Sequence, residues 1–136
     1  MRIFVDSDIL LDYLQDREHR TAAFELFAKI DTSPGPDGYT TSDVIGNVYY
    51  IARKTLSRER AVSVMKGLRK LLNIIPVTDA IIDQALESEF SDIEDAIQYF
   101  AALSYRIDVI VTRNISDYRL SAIQVMNAGK FLSLYS

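Results

Sequence analysis

The chain of 136 residues contains no cysteine, which excludes disulfide cross-links and thiolate metal sites. Its one histidine, His19, cannot assemble an imidazole metal site by itself, so any metal has to be held by oxygen. Glycine and proline are scarce, and the one stretch where they collect, DTSPGPDG at residues 31 to 38, is too short and too early to join two domains. No apolar run approaches the roughly eighteen residues a membrane span requires. The first residues form a strand-like hexamer containing acid, not a basic segment followed by an apolar stretch. The expectation is a single domain over residues 1–136, cytoplasmic and away from the membrane.

What is present is periodic. Short apolar runs at residues 3 to 5, 39 to 41, 74 to 77, 109 to 112 and 124 to 126 read as strands. Helical patterns lie between them. Ala23, Leu26, Phe27 and Ile30 share one face, as do Ala61, Val64, Met65, Leu68, Leu71 and Leu72, and again Ile93, Ala96, Ile97, Phe100 and Ala101. Strands alternating with amphipathic helices predict an α/β fold with a central parallel sheet of about five strands and helices on both faces, because a parallel pair needs a crossover and the crossover supplies the covering helix. In such folds ligands gather beyond the carboxyl ends of the strands.

That rule selects among the acidic residues. Asp6 closes the first strand, followed by Ser7 and Asp8. After the second strand Asp43, Asn47, Tyr50 and Lys54 form a polar stripe opposite Val44, Val48 and Ile51. The fourth strand ends at Thr112, followed by Arg113, Asn114 and Asp117. SDIEDAIQYF, from Ser91 to Phe100, opens a helix with Asp92 and Asp95 one turn apart. Four separate elements thus aim oxygen at one edge, where clustered carboxylates repel unless a cation lies between them.

Each acid also has a plainer use. Ser91 with Glu94 has the form of a capping box, and Asp92, Glu94 and Asp95 suit a first helical turn. Asp8 reads as an N-cap of the first helix, Asp12 as solvated, Asp117 as a turn former and His19 as a surface residue. The net charge is −4, but residues 53 to 70 alone carry +6, leaving −10 for the rest. That basic segment, including Arg53 and Lys54, is either a solvated helix surface or a phosphate-contacting patch.

The stretches IFVDSDILLDYL, TTSDVIGNVYYIARK, DIEDAIQYFAA and VIVTRNISDY, in this order and over essentially the whole chain, resemble the PIN domain family, in particular the VapC-type ribonucleases of bacterial toxin-antitoxin pairs. The resemblance implies a PIN-like fold and an acidic pocket that binds Mg²⁺ or Mn²⁺ and hydrolyses RNA phosphodiester bonds. By position it implies metal ligation by Asp6, Asp95 and Asp117, with Asn47 completing the catalytic set. Ser7, Asp43, Asp92, Thr112 and Asn114 are the supporting residues, and Arg113, Arg53 and Lys54 the RNA contacts. Asn47 departs from the Glu of many members and is a poorer metal ligand; either Asp43 compensates or metal affinity is lower. The resemblance further implies a cognate antitoxin and a homodimer. Tyr49, Tyr50, Tyr99 and Tyr105 serve either a contact surface or the core.

Two other classes remain open. VDSDIL also matches the D-x-D opening of haloacid-dehalogenase-like phosphatases, although no lysine stands at a fitting strand end. A catalytically weak PIN-like module that binds a protein partner is the other, and Asn47 is its support.

Overall fold

The computed structural model describes residues 1–15, 18–32 and 34–135. It begins with strand β1 (Arg2–Val5), helices α1 (Ser7–Leu14) and α2 (Arg20–Ile30), and strand β2 (Asp37–Thr41). Helices α3 (Ser42–Ala52) and α4 (Arg58–Leu71) then lead to β3 (Leu72–Ile75). Next come α5 (Asp79–Glu87), α6 (Ile93–Ser104) and β4 (Val109–Val111). A 3-10 turn (Ile115–Tyr118), β5 (Gln124–Met126) and α7 (Ala128–Leu134) complete the order.

All four strand pairings are parallel, and the sheet order is β3-β2-β1-β4-β5. The chain winds outward from β1 to β3 and then returns to place β4 on the other side of β1. Strand order therefore reverses between β1 and β4, the position at which this architecture opens a crevice.

Alternation along the strands divides the core into two layers. Ile3, Val5, Val109 and Val111 face α1, α2, α3 and α7, packing on Leu10, Leu26, Phe27, Val48 and Phe131. Phe4, Ile75 and Ile110 face α5 and α6, packing on Ile81, Tyr99, Ala101 and Ala102. Strands buried on both faces read as continuous apolar runs, which is why VIV and IFV were visible in the sequence.

Several boundaries differ from the pattern reading. The third strand occupies Leu72–Ile75 and not residues 74 to 77. Pro76 lacks the N–H needed for the ladder and ends it. Leu72 belongs to that strand instead of the α4 face, because α4 runs directly into β3. Helices α5 and α7 have no counterpart among the patterns above; α5 buries only Ile81 and Ala85, too thin a stripe to announce itself. The loop read at residues 31 to 38 ends earlier, since Asp37 and Gly38 already belong to β2, and residue 33 lies outside the described residues. Gly38 is explained by packing: an added Cβ would stand 2.9 Å from Leu72 Cδ2 and 3.1 Å from Ile30 Cδ1.

Helix α6 ends in a Schellman turn. The Ile107 N–H reaches back to Ala102 O and the Arg106 N–H to Leu103 O. The left-handed position is filled by Arg106, at φ 53°, where glycine is the usual residue.

Candidate active site

Two adjacent strand ends form the centre of the site. Asp6 follows β1 and Thr112 follows β4, and the Thr112 hydroxyl lies 2.9 Å from Asp6 Oδ2. The backbone continues the ladder on both sides, with the Asp6 N–H on Val111 O and the Thr112 N–H on Met126 O. Asp6 also serves as the N-cap of α1, its Oδ1 accepting from the Ser7 N–H at 2.6 Å. It therefore ends a strand and caps a helix at once, where the sequence suggested only the first.

Asp8 is not a cap. It lies in the first turn of α1 and is buried, its Oδ2 accepting from the Arg113 N–H at 2.9 Å and lying 3.2 Å from the Thr112 hydroxyl. Because both carboxylates approach that one hydroxyl oxygen, their nearest oxygens lie within about 6 Å of each other. Asp8 Oδ1 is buried without a partner among the described residues. Asp12 is likewise not solvated: it is fully buried one turn further along α1 and holds Arg113 side-on, with Nε at 2.7 Å and Nη2 at 3.1 Å. Arg113, expected as an RNA contact, thus has its guanidinium committed on one edge.

The opposite wall comes from α6 and the 3-10 turn. Tyr118 is buried with its hydroxyl 3.1 Å from both Asp6 Oδ2 and Gln98 Oε1. A phenol has one proton, which goes to the carboxylate as the stronger acceptor; the Gln98 amide then presents its NH₂ to Tyr118, an orientation assigned by hydrogen bonding. Asp92, and not Ser91, caps α6 by accepting from the Asp95 N–H at 3.1 Å. Asp95 is half-buried in the first turn and Asp117 is exposed in the 3-10 turn. Asn114 contributes its backbone N–H, 3.0 Å from the Thr112 hydroxyl oxygen.

The electrostatics show which acids share this space. Asp95 is pushed up to about 7, first by burial and then by the negative charges of Asp92, Asp6, Asp117 and Glu94. Asp8 is pushed up to about 6 by burial and by Asp6, against the opposing hydrogen bond and charge of Arg113. Burial also raises Asp6, although Thr112, Ser7 and Tyr118 all stabilise its ionised form. Burial and the adjacent Asp6 keep Tyr118 neutral, its phenol raised well above the ordinary value.

Asp95 therefore lies in the field of both Asp6 and Asp117, residues far from it in sequence. Among the described residues, no three His, Cys, Asp or Glu side chains form a ready-made metal cage. Mg²⁺ does not require one, because it retains several waters and takes one or two carboxylates. The uncompensated charge around Asp95, the orphaned oxygen of Asp8 and the all-oxygen donor set fit such an ion.

Other expected residues make no hydrogen bond to this cluster among the described residues. Asn47 is exposed on α3, Asp43 is half-buried with Oδ1 lacking a partner, and no hydrogen bond among the described residues links either to Asp6 or Asp95. Arg53 closes the turn after α3 by donating to Leu56 O, and Lys54 lies over the Tyr50 ring. Arg69 and Lys70 end α4 where β3 begins, at the amino edge of the sheet and so opposite the acids. The end of the basic segment thus stands away from the acidic edge. Of the tyrosines, Tyr99 is buried, Tyr49 and Tyr105 are half-buried and only Tyr50 is open to solvent. His19 is exposed, as expected.

Comparison with known proteins adds the lineage. A family model described as PIN domain matches residues 2–116. The chain belongs to the PIN domain family. Its sheet is the PIN-like sheet expected, and the Asp6 and Asp95 segments both fall within the matched span. This PIN domain is 28% identical over 135 residues to Ribonuclease VapC1 of Aquifex aeolicus (strain VF5), covering 96% of this chain and 92% of the relative. It superposes on the toxin-antitoxin complex from Klebsiella pneumoniae with a TM-score of 0.69 and 22% identity, covering 94% of this chain and 98% of the other. On Mycobacterium tuberculosis VapC20, a sarcin-ricin loop cleaving toxin, the values are 0.67 and 18%, covering 86% and 95%.

Asp8, Asp12, Gln98 and Tyr118 are the contributors that residue patterns did not identify. Asp8 and Asp12 alone carried a usable signal, as acids one turn apart on a helix that is mostly apolar otherwise.

Proposed function

We propose that this PIN domain is a divalent-metal-dependent endoribonuclease and the toxin half of a toxin-antitoxin pair. The observation that carries the reading is the meeting of Asp6 and Thr112 at the reversal of strand order, with Asp95 on α6 feeling the charges of Asp6 and of Asp117 in the 3-10 turn. The ribonuclease and toxin relatives support it.

Asp6 and Asp95 would hold Mg²⁺ or Mn²⁺, with Asp117 beside them. When bound there, such an ion would supply charge neutralisation at the scissile phosphate and ease deprotonation of the attacking water. The protein's own groups prepare that place. Thr112 and Tyr118 fix the Asp6 carboxylate in one orientation, and Asp92 anchors the turn that carries Asp95. Asp117 and Asn114 orient a water by hydrogen bonds, Ser7 faces the phosphate from the first turn of α1, and Asn47 with Asp43 contributes weaker polar contact from α3. Arg53 and Lys54 meet RNA at a distance from the cut. A cytoplasmic homodimer restrained by a small antitoxin is the expected working form, and a gene for a small DNA-binding protein beside this one would support it. No helix among the described residues is long and apolar enough to cross a membrane.

The phosphatase alternative loses its footing here. The second Asp of its motif, Asp8, is tied to Thr112 and the Arg113 N–H instead of facing solvent as an acid. The binding-module alternative retains Asn47 and the absence of a three-carboxylate cage among the described residues as support. Incubation with RNA in Mg²⁺, Mn²⁺ or EDTA separates them. Cleavage that needs metal and disappears in Asp6→Asn and Asp95→Asn, with circular dichroism unchanged, supports the nuclease. Intact RNA under every condition refutes it.

A further inference from the structure

On the α1 and α2 side of the same sheet edge lies a cavity of about 410 Å³. Its size falls at the small end of ligand pockets, roughly 300–1,000 Å³, and admits one nucleoside. Ala22, Ala23 and Ala128 contribute small apolar surfaces, while Arg113, His19 and Asn127 contribute polar ones.

Arg113 decides the chemistry. Its Nε and Nη2 are held side-on by the buried Asp12, so the plane of the guanidinium is locked. Nη1 has no partner among the described residues, which leaves the end-on edge, Nη1 with the second hydrogen of Nη2, as a preset fork of donors. Asn127 Oδ1 already accepts from the Lys130 N–H, leaving its NH₂ as a second donor. The Asp12 carboxylate also lines the cavity beside Arg113, which disfavours a phosphate there. It suits a flat neutral group that presents paired acceptors.

The guanine O6 and N7 form such a pair, whereas adenine places an NH₂ donor where the second acceptor is needed. The slot is linked to the Asp6 end of the acidic cluster through the strand end that carries Arg113. Arg113 follows Thr112 directly, and Asp8 Oδ2 accepts from the Arg113 backbone while approaching the Thr112 hydroxyl. RNA cut at Asp6 and Asp95 would carry a neighbouring nucleotide across this strand end. We infer that the cavity receives a guanine base next to the scissile phosphate and gives the enzyme its sequence preference. The ligand class rests on the ribonuclease reading above.

The test measures binding apart from cleavage. Fluorescent tetraribonucleotides differing by G, A, C or U at one position are titrated into the metal-free protein in EDTA, where repulsion from the acidic cluster is common to all four. The guanine oligomer should bind about tenfold more tightly than the others. Ala22→Leu, which fills the slot from a half-buried position, should abolish the preference without changing the melting temperature. Arg113→Lys keeps the charge but removes the fork and should do the same. If Arg113→Lys unfolds through loss of its Asp12 pairing, Ala22→Leu decides the matter. Equal binding of all four oligomers, or a guanine preference that survives Ala22→Leu, overturns the inference. Metal-dependent cleavage without base preference would reject the slot and keep the nuclease; guanine-selective binding without any cleavage would do the reverse.

Discussion

Replacing Asp95 with asparagine should stabilise the metal-free protein, and the structure sets both the sign and the size. The Asp95 carboxyl is raised from 3.8 to about 7 by burial and by Asp92, Asp6, Asp117 and Glu94. Because the folded value lies above the unfolded one, the folded state binds the extra proton. Stability is therefore full below about pH 4, falls as pH rises from about 4 to 7, and is level above that. At about 1.4 kcal/mol per tenfold change in proton affinity, a fully shielded group would lose roughly 4 kcal/mol. Asp95 is only half-buried, so solvent screening reduces this to about 1–2 kcal/mol. Asparagine forfeits about 0.5 kcal/mol of favourable interaction with the α6 dipole. The net gain is about 1 kcal/mol, or about 3–4 °C in melting temperature for a chain of this length. The assay is thermal unfolding in EDTA at pH 4 and pH 8. The variant should match the wild type at pH 4 or fall slightly below it, and exceed it at pH 8. Added Mg²⁺ or Mn²⁺ should reverse the order by stabilising only the wild type, about 2.7 kcal/mol at one hundred times the dissociation constant. A variant that is no more stable at pH 8, or that shows the same difference at both pH values, would refute the account of clashing carboxylates.

Three other perturbations probe separate parts of the molecule. Asp12→Ala leaves Arg113 beside an empty buried site and should cost about 3 kcal/mol, read by urea unfolding; a cost below 1 kcal/mol would mean the pair is a surface ornament. Asn47→Glu should tighten Mn²⁺ binding in calorimetry, and an unchanged affinity would remove position 47 from the site. Arg106→Gly should raise stability by about 1 kcal/mol at the left-handed end of α6, measured by thermal melting, whereas a loss would point to Arg106 side-chain contacts that outweigh backbone strain.

Much of the architecture was legible because it is written in local periods. IFV and VIV announced strands buried on two faces, and the Ala61 to Leu71 pattern announced a helix, although α4 buries only Ala61 and Leu68 outright. Cap identities were less legible. Ser91 and Asp92 both satisfy the chemistry of an N-cap, and only the backbone path selects Asp92. The basic segment shows a related limit: a count of charges along the chain does not say that α4 ends at the amino edge of the sheet, away from the acids.

The sequence by itself determined the alternation of strands and helices, the exclusion of thiolate and imidazole metal chemistry, and the placing of Asp6 and Thr112 at strand ends. These follow from side-chain type and from spacing over a few residues. Tertiary structure alone decided that Asp8 and Asp12 turn inward, because the groups that receive them, Thr112 and Arg113, stand about a hundred residues away in the chain. It also decided that Tyr118 reaches Asp6 across the edge, and that Asp95 shares the field of Asp6 and Asp117. Whether a carboxylate is solvated, paired or poised for a cation depends on what folds against it, and that neighbour is chosen by the sheet order.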